Sequence, residues 1–230
     1  MILSISQPAY LPWLGYFDRI SKSDFHIVLD HVCMDKNSKT KFTNRNKVRT
    51  AQGWSWLTVP IKSAARSEDI PINRLEISSD ASWTSKHWKT LQANYSKASF
   101  FNDYSDFFEY FYKNCEHSLN SLISESTNHL LTSLDIKTEC VSSSEFFPQA
   151  KKSELILELC KKTGATCYLS GPFGRDYLNA QEFEDAGIEL RFHDYSHPQY
   201  KQVYEGFEPY MSIIDLLFNH GSKSLEILST

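Results

Sequence analysis

Residues 1–30 read MILSISQPAYLPWLGYFDRISKSDFHIVLD, and this stretch decides the fold. ILSIS (2–6) is a short apolar run of strand length, and FHIVLD (25–30) is a second. Between them Leu14, Phe17 and Ile20 or Ser21 recur at helical spacing. Pro12 suits a helix start, where its missing N–H costs nothing. Strand, helix and strand in so short a span make a βαβ unit, which implies parallel strands joined by a right-handed crossover.

The same logic returns in the last third. KKSELILELCKKT (151–163) is an amphipathic helix with Leu155, Ile156 and Leu159 inward, ended by Gly164. CYLS (167–170) is a strand that stops at Gly171 and Pro172. A polar segment follows over 175–186, and IELRFHD (188–194) is an alternating strand. SIIDLLFNHG (212–221) is a final helix closed by Gly221. Its Asp215 stands on an otherwise apolar face and, if buried, needs an Arg or Tyr partner. Between the two α/β portions, WSWLTVPI (54–61), INRLEIS (72–78) and IKTECV (136–141) read as strands, and the polar, basic segment 35–50 reads as a surface loop. Residues 82–134 turn helical and aromatic, with Trp88, Leu91, Tyr95, Phe107, Phe111, Leu119, Leu122 and Leu130. The expectation is one α/β domain over 1–230: a mostly parallel, Rossmann-like sheet with 82–134 as a helical insertion or cap.

Composition narrows the function classes. Twenty-eight acidic and 24 basic residues leave a net charge of −4, whereas a general polyanion binder would be basic, so bulk nucleic-acid binding is disfavoured. Only 8 glycines are present, too few for extended phosphate-cradling loops. No apolar run approaches the length of a membrane span, so membrane insertion is not expected. The first residues lack the basic start and cleavage site of a signal peptide. The five cysteines are an odd number without a C-x-x-C pair, which argues against a disulfide framework or structural zinc and fits a cytoplasmic protein.

In open parallel sheets ligands bind beyond the carboxyl ends of the strands. Gln7, Pro8 and Tyr10 follow the first strand, and Asp30 and His31 the second. Ser170 ends CYLS, with Gly171, Gly174 and Arg175 after it, and His193 and Asp194 close IELRF. The basic loop with Asn44, Arg45, Asn46 and Lys47 begins just past Asp30. One rim therefore offers cations, amides and aromatic faces, a set that suits an anionic substrate such as a nucleotide or nucleotide-sugar. Gly171 and Gly174 let backbone approach a ligand closely, and Arg175 could hold an anion. His193 beside Asp194, or His87, could act as a base. Plainer readings stand beside these: solvated lysines and arginines in a loop, core histidines, and aromatics that only pack a turn. His193 and His197 are too few to define a metal site.

Two resemblances follow from these residues. Trp13-Leu14-Gly15-Tyr16 occupies the place where nucleotidyltransferase-like enzymes carry an H-x-G-H element, here without either histidine. More specifically, ISQPAYLPWLGYF, NRNKVRT with QGWSWLTVPI, HWKTLQANYSKASFF, KKSELILELCKKTGATCYLSGPFGRDYL and FEPYMSIIDLLFNHG, in this order along nearly the whole chain, resemble the WbqC-like family. The resemblance implies a role in surface-polysaccharide (O-antigen) sugar biosynthesis, with transfer of glycine or another acyl group to the amino group of a nucleotide-linked amino sugar. Such a reaction would use ATP or an activated acyl donor. On this reading Arg45, Lys47 and Arg175 hold phosphates, Tyr10 and Trp13 stack on a base or sugar face, and His193 with Asp194, or His87, removes the ammonium proton. Two alternatives stay open: a non-catalytic scaffold docking through the aromatic region 83–112, and a metal-assisted enzyme using His193 and His197.

Overall fold

The structure is a computed structural model that describes residues 1–34, 42–62, 69–80, 82–115 and 117–230. The expected basic positions Lys36, Lys39 and Lys41 lie outside the described residues. The first strand, β1 (Ile2–Ser6), is followed by α1 (Leu14–Ser21) and β2 (Phe25–Val28). β1 and β2 pair in parallel, as the opening stretch dictates. The other sheet members are β5 (Glu139–Ser142), β6 (Cys167–Ser170) and β7 (Glu189–Phe192). All four pairings are parallel, in the spatial order β5-β2-β1-β6-β7. Numbered within the sheet this is 3-2-1-4-5, the doubly wound order, whose reversal lies between β1 and β6.

The two faces of β1 are chemically different. Leu3 and Ile5 enter an apolar cluster with Leu155, Ile156 and Leu159 of α5 (Lys152–Thr163) and Phe183 of α6 (Ala180–Asp185). Gly164, at φ 68°, ends α5 in the left-handed conformation that glycine adopts freely. Ser4 and Ser6 carry polar groups instead, and His26 of β2 sits between them. Ser4 Oγ meets His26 Nδ1 at 2.7 Å, and Ser6 Oγ meets Nε2 at 3.0 Å. Burial first, and the nearby Arg19 charge second, push the His26 pKa down to about 3, so the ring is neutral and satisfied at both nitrogens. α1 is wedged between this polar layer and the helices. Tyr16 meets His26, while Leu14, Phe17 and Ile20 enter the larger core.

That larger core is built by α2 (Ser82–Tyr95), α3 (Phe101–Lys113), α4 (Leu119–Ser133) and α7 (Ile213–His220), the chain ending in α8 (Ser224–Leu228). The aromatic region expected as a docking face instead fills this core: Trp83, Tyr95, Phe101, Phe108, Phe111 and Tyr112 are all buried. Asp215 of α7 is also buried, and Tyr95, Tyr200 and Gln202 each donate to its carboxylate at 2.9 Å.

Three segments differ from the sequence expectation. Residues 45–50 are not loop but β3 (Arg45–Thr50), which pairs antiparallel with β4 (Gly53–Thr58). Their charges are accommodated by indoles across the hairpin: Arg45 lies 4.2 Å from the Trp56 ring and Lys47 lies 4.0 Å from Trp54. Such contacts contribute about 0.5–1 kcal/mol each at exposed sites. Residues 72–78 are not a strand. Ile72–Arg74 forms a single 3-10 turn after Pro71, and its amides bond to Val32 and Asp30 rather than to a sheet. The polar segment 175–186 contains α6 and the end of a 3-10 turn at Pro172–Asp176.

Candidate functional site

The carboxyl ends of β1 and β6 flank the reversal point, where a crevice opens in sheets of this order. Gln7 follows β1 half-buried, and its carboxamide makes no hydrogen bond among the described residues. Gly171 follows β6, and a Cβ there would fall 2.5 Å from Arg19 Nη1. The guanidinium of Arg19 thus rests against bare backbone at the switch point. It has no carboxylate partner among the described residues, and its Nε is buried without a hydrogen bond. A second close approach follows at Gly174, where a Cβ would sit 2.0 Å from Ser170 Oγ. At Gly174 room rather than φ excludes a side chain, whereas at Gly171 only the end of the Arg19 side chain would have to move.

His193 leaves β7 with its backbone N–H donating to Ser170 O at 2.8 Å, so it lies beside Gly171 on the same rim. Its ring Nε2 is 2.6 Å from Asp18 Oδ2 on α1. Burial alone would raise the Asp18 pKa. Hydrogen bonds from His193 and Lys22 overcome that and hold it below the ordinary carboxylate range. An ionised Asp18 accepts a hydrogen bond from Nε2–H, which in the neutral ring leaves Nδ1, unpartnered among the described residues, as the acceptor nitrogen. Tyr195 stacks on the ring at 5.7 Å and limits its rotation.

This corrects the expected His193–Asp194 pairing. Asp194 instead grips Arg175 in a fork, at 2.8 and 2.7 Å, on the exposed surface. Arg175 is therefore occupied rather than free for phosphate. Tyr10 is fully buried, sharing hydrogen bonds with His87 Nδ1 and the Tyr112 hydroxyl. His87 is buried in the helical core, away from the rim, and burial lowers its pKa to about 4. Trp13 is half-buried between Tyr195 and Tyr210 and leans over Gly15. Asn44 and Asn46 donate to Val59 O and Leu11 O and fasten the hairpin to the chain around it. Arg45 and Lys47 lie on that hairpin, outside the five-stranded sheet. His197 has both ring nitrogens within hydrogen-bond distance of backbone, Pro198 O and the Tyr210 N–H. Among the described residues no group of three His, Cys, Asp or Glu is placed to hold a metal ion.

The rim thus brings together Gln7, Ser170, Gly171, Gly174 and His193, and adds Arg19 and Asp18, which sequence reasoning missed. Both belong to α1, read only for its apolar positions. The signal was FDRI itself: an acid and a base adjacent on a helix already committed to burial. The segments that follow β2 and β5 are tied to one another. Asp30 accepts from Ser143 Oγ, from Ser144 N and Oγ, and from Asn73, joining the ends of β2 and β5.

Comparison with known proteins then decides the family. The model of the WbqC-like protein family matches residues 7–227. The chain belongs to the WbqC-like family. Among similar proteins, the uncharacterized protein Rv1507c of Mycobacterium tuberculosis (strain ATCC 25618 / H37Rv) is 34% identical over 228 residues, covering 98% of this chain and 96% of its own length. No solved structure matches. In this WbqC-like chain no described helix is long and apolar enough to cross a membrane, and no disulfide joins the five cysteines.

Proposed function

We propose that this WbqC-like protein is a cytoplasmic transferase of surface-polysaccharide sugar biosynthesis that acylates the amino group of a nucleotide-linked amino sugar. One observation carries the reading: a His193–Asp18 dyad on the same rim as Arg19, whose guanidinium has no carboxylate partner among the described residues, at the sheet's switch point. Amide formation needs both. Arg19 offers a fixed fork of N–H donors to a phosphate of the substrate. His193 Nδ1 takes a proton from the sugar ammonium, and Asp18 holds the ring and stabilises the imidazolium that forms. The amine then attacks the acyl carbonyl of the activated donor. The new C–N bond forms, the bond to the donor's leaving group breaks, and the leaving group departs with the electron pair and takes up the second proton shed by the nitrogen. The reading keeps the base expected from the sequence and replaces its partner and its phosphate ligand.

The experiment is incubation of the purified protein with amino-sugar nucleotides, candidate carboxylic acids and ATP or preformed acyl donors, analysed by mass spectrometry. A nucleotide-sugar heavier by one acyl unit is expected, and it should vanish with His193→Ala. Absence of any acylated product with every donor rejects the reading.

A further inference from the structure

A second feature of the same rim lies on the other side of Arg19, at the carboxyl ends of β1, β2 and β5. A cleft there runs beneath α4, lined on the helix side by Asn120, Ser124, Thr127 and Asn128. These positions recur at four, seven and eight residues and so share one helix face. Helix α1 supplies Tyr16 and the sheet supplies Ser142, and no lining residue carries a formal charge. The enclosed part is about 90 Å³, roughly three water volumes, which admits one ring and not a whole nucleotide.

Thr127 contributes an unsatisfied hydroxyl to the wall of this cleft. It is 7% exposed, and its Oγ1 is buried with no hydrogen-bond partner. Hydroxyls within a helix ordinarily bond to a carbonyl one turn back. Ser126, Thr132 and Ser133 of the same helix do so. Thr127 does not, and a buried orphan hydroxyl costs stability unless something satisfies it. The side chains of Asn120, Ser124 and Asn128 likewise have no protein partner among the described residues. Four neutral residues with donor and acceptor groups line one space, which suits a ring bearing hydroxyl and amide groups.

We propose that this cleft holds one ring of the nucleoside end of the substrate, the ribose, its hydroxyls meeting Asn120, Thr127 and Asn128. The inference rests on the acyl-transfer reading for the choice between a nucleoside and a sugar ring. From β2 to β7 the rim spans three strand spacings, about 14 Å. Arg19 stands between the two ends, against Gly171 at the β1–β6 crevice. With the amino sugar at His193 and the phosphates at Arg19, the remaining nucleoside reaches the α4 cleft. The chemistry of the cleft agrees, since a phosphate would find no cation in it.

The test is titration of the intact chain with uridine, thymidine, adenosine and guanosine diphosphates and with N-acetylglucosamine. Calorimetry and the side-chain amide signals of Asn120 and Asn128 in NMR spectra report binding, for wild type, Thr127→Val and Asn128→Ala. At least one diphosphate is expected to bind and move both amide signals. Thr127→Val should weaken it roughly threefold to tenfold, the worth of one neutral hydrogen bond, while raising the melting temperature of the ligand-free protein. That paired rise and loss separates a ligand role from a merely structural one. Binding of no diphosphate, wild-type affinity in both variants, or amide shifts produced by the hexose alone overturns the inference. The two readings fail separately. Acyl transfer unaltered by Thr127→Val removes only the cleft assignment, and nucleotide binding in the cleft without transfer removes only the enzymatic one.

Discussion

His193 Nε2 and Asp18 Oδ2 meet at 2.6 Å across 175 residues of sequence, and they bind the end of the last strand to the first helix. Lys22 reaches the same oxygen at 2.6 Å, so one buried carboxylate serves two donors. Asp18→Asn removes the charge and keeps the shape. It is expected to cost about 2 kcal/mol at neutral pH, the scale of a charge-assisted hydrogen bond. The folded-state pKa of Asp18 is lowered. Its stabilisation is therefore present above the unfolded value, near 4, and is lost as pH falls through the folded value. Urea unfolding of both proteins at pH 7 and pH 3 checks this. The gap between them should close in acid, and an equal gap at both pH values refutes the assignment.

Gly15 is a helical glycine whose replacement should run against helix propensity. Alanine there would ordinarily gain about 1 kcal/mol. Here its Cβ would fall 2.3 Å from Trp13 Cη2, and that indole is held by Tyr195 and Tyr210. Overpacking costs typically 1–3 kcal/mol, so the clash wins and Gly15→Ala should destabilise by about 1 kcal/mol. In a Trp13→Ala background the obstacle is gone, and the same substitution should stabilise. A double-mutant cycle by urea unfolding reads the sign change, and additivity of the two substitutions would contradict the packing account.

The sequence showed the parallel sheet because periodicity reports burial directly: ILSIS, FHIV and CYLS have strand length, and KKSELILELCKKT with Gly164 has a helix and its stop. It also placed Gln7, Gly171 and His193 at strand ends, since a strand's carboxyl end follows from its direction alone. It could not choose partners. Asp194 lies next to His193 in sequence, yet consecutive residues leaving a strand diverge, and the carboxylate that reaches the ring comes from α1. The basic run at 45–49 read as loop because charge outweighed alternation, although Asn46 and Val48 alternate inward and the tryptophans that take up the charge lie on the next strand. The helical aromatics looked available for docking because composition does not say which face a ring takes; packing against α7 buries them.

Acid should loosen this fold well above the range where carboxylates titrate. His26 and His87 have folded pKa values of about 3 and about 4, each set chiefly by burial. An unfolded histidine takes up its proton near 6.5, and the folded rings refuse it. The unfolded state therefore binds more protons between about pH 6.5 and 4, and stability falls as pH drops through that window. His87 alone accounts for about 3 kcal/mol of this, at 1.4 kcal/mol per pH unit. His87→Gln cannot titrate and should show a flatter profile. Urea unfolding at pH 7.5 and 4.5 measures the slope, and a variant as acid-sensitive as wild type would exclude His87 as a source.

Arg19 makes no ion pair among the described residues, and the proposed chemistry depends on it. Its guanidinium lies against Gly171 without an ion pair among the described residues, and its Nε is buried unbonded. Arg19→Ala should therefore change the stability of the ligand-free protein by less than about 1 kcal/mol. Its charge also helps to depress the His26 pKa, so in the variant His26 should titrate at higher pH by NMR, a readout that needs no ligand. With a nucleoside diphosphate at a hundred times its Kd, the wild type should gain about 2.7 kcal/mol. The alanine variant should gain nothing, and Arg19→Lys should gain only part, since an ammonium keeps the charge and loses the fork. Nucleotide stabilisation that survives Arg19→Ala would place the phosphates elsewhere and remove the anchor between the α4 cleft and His193.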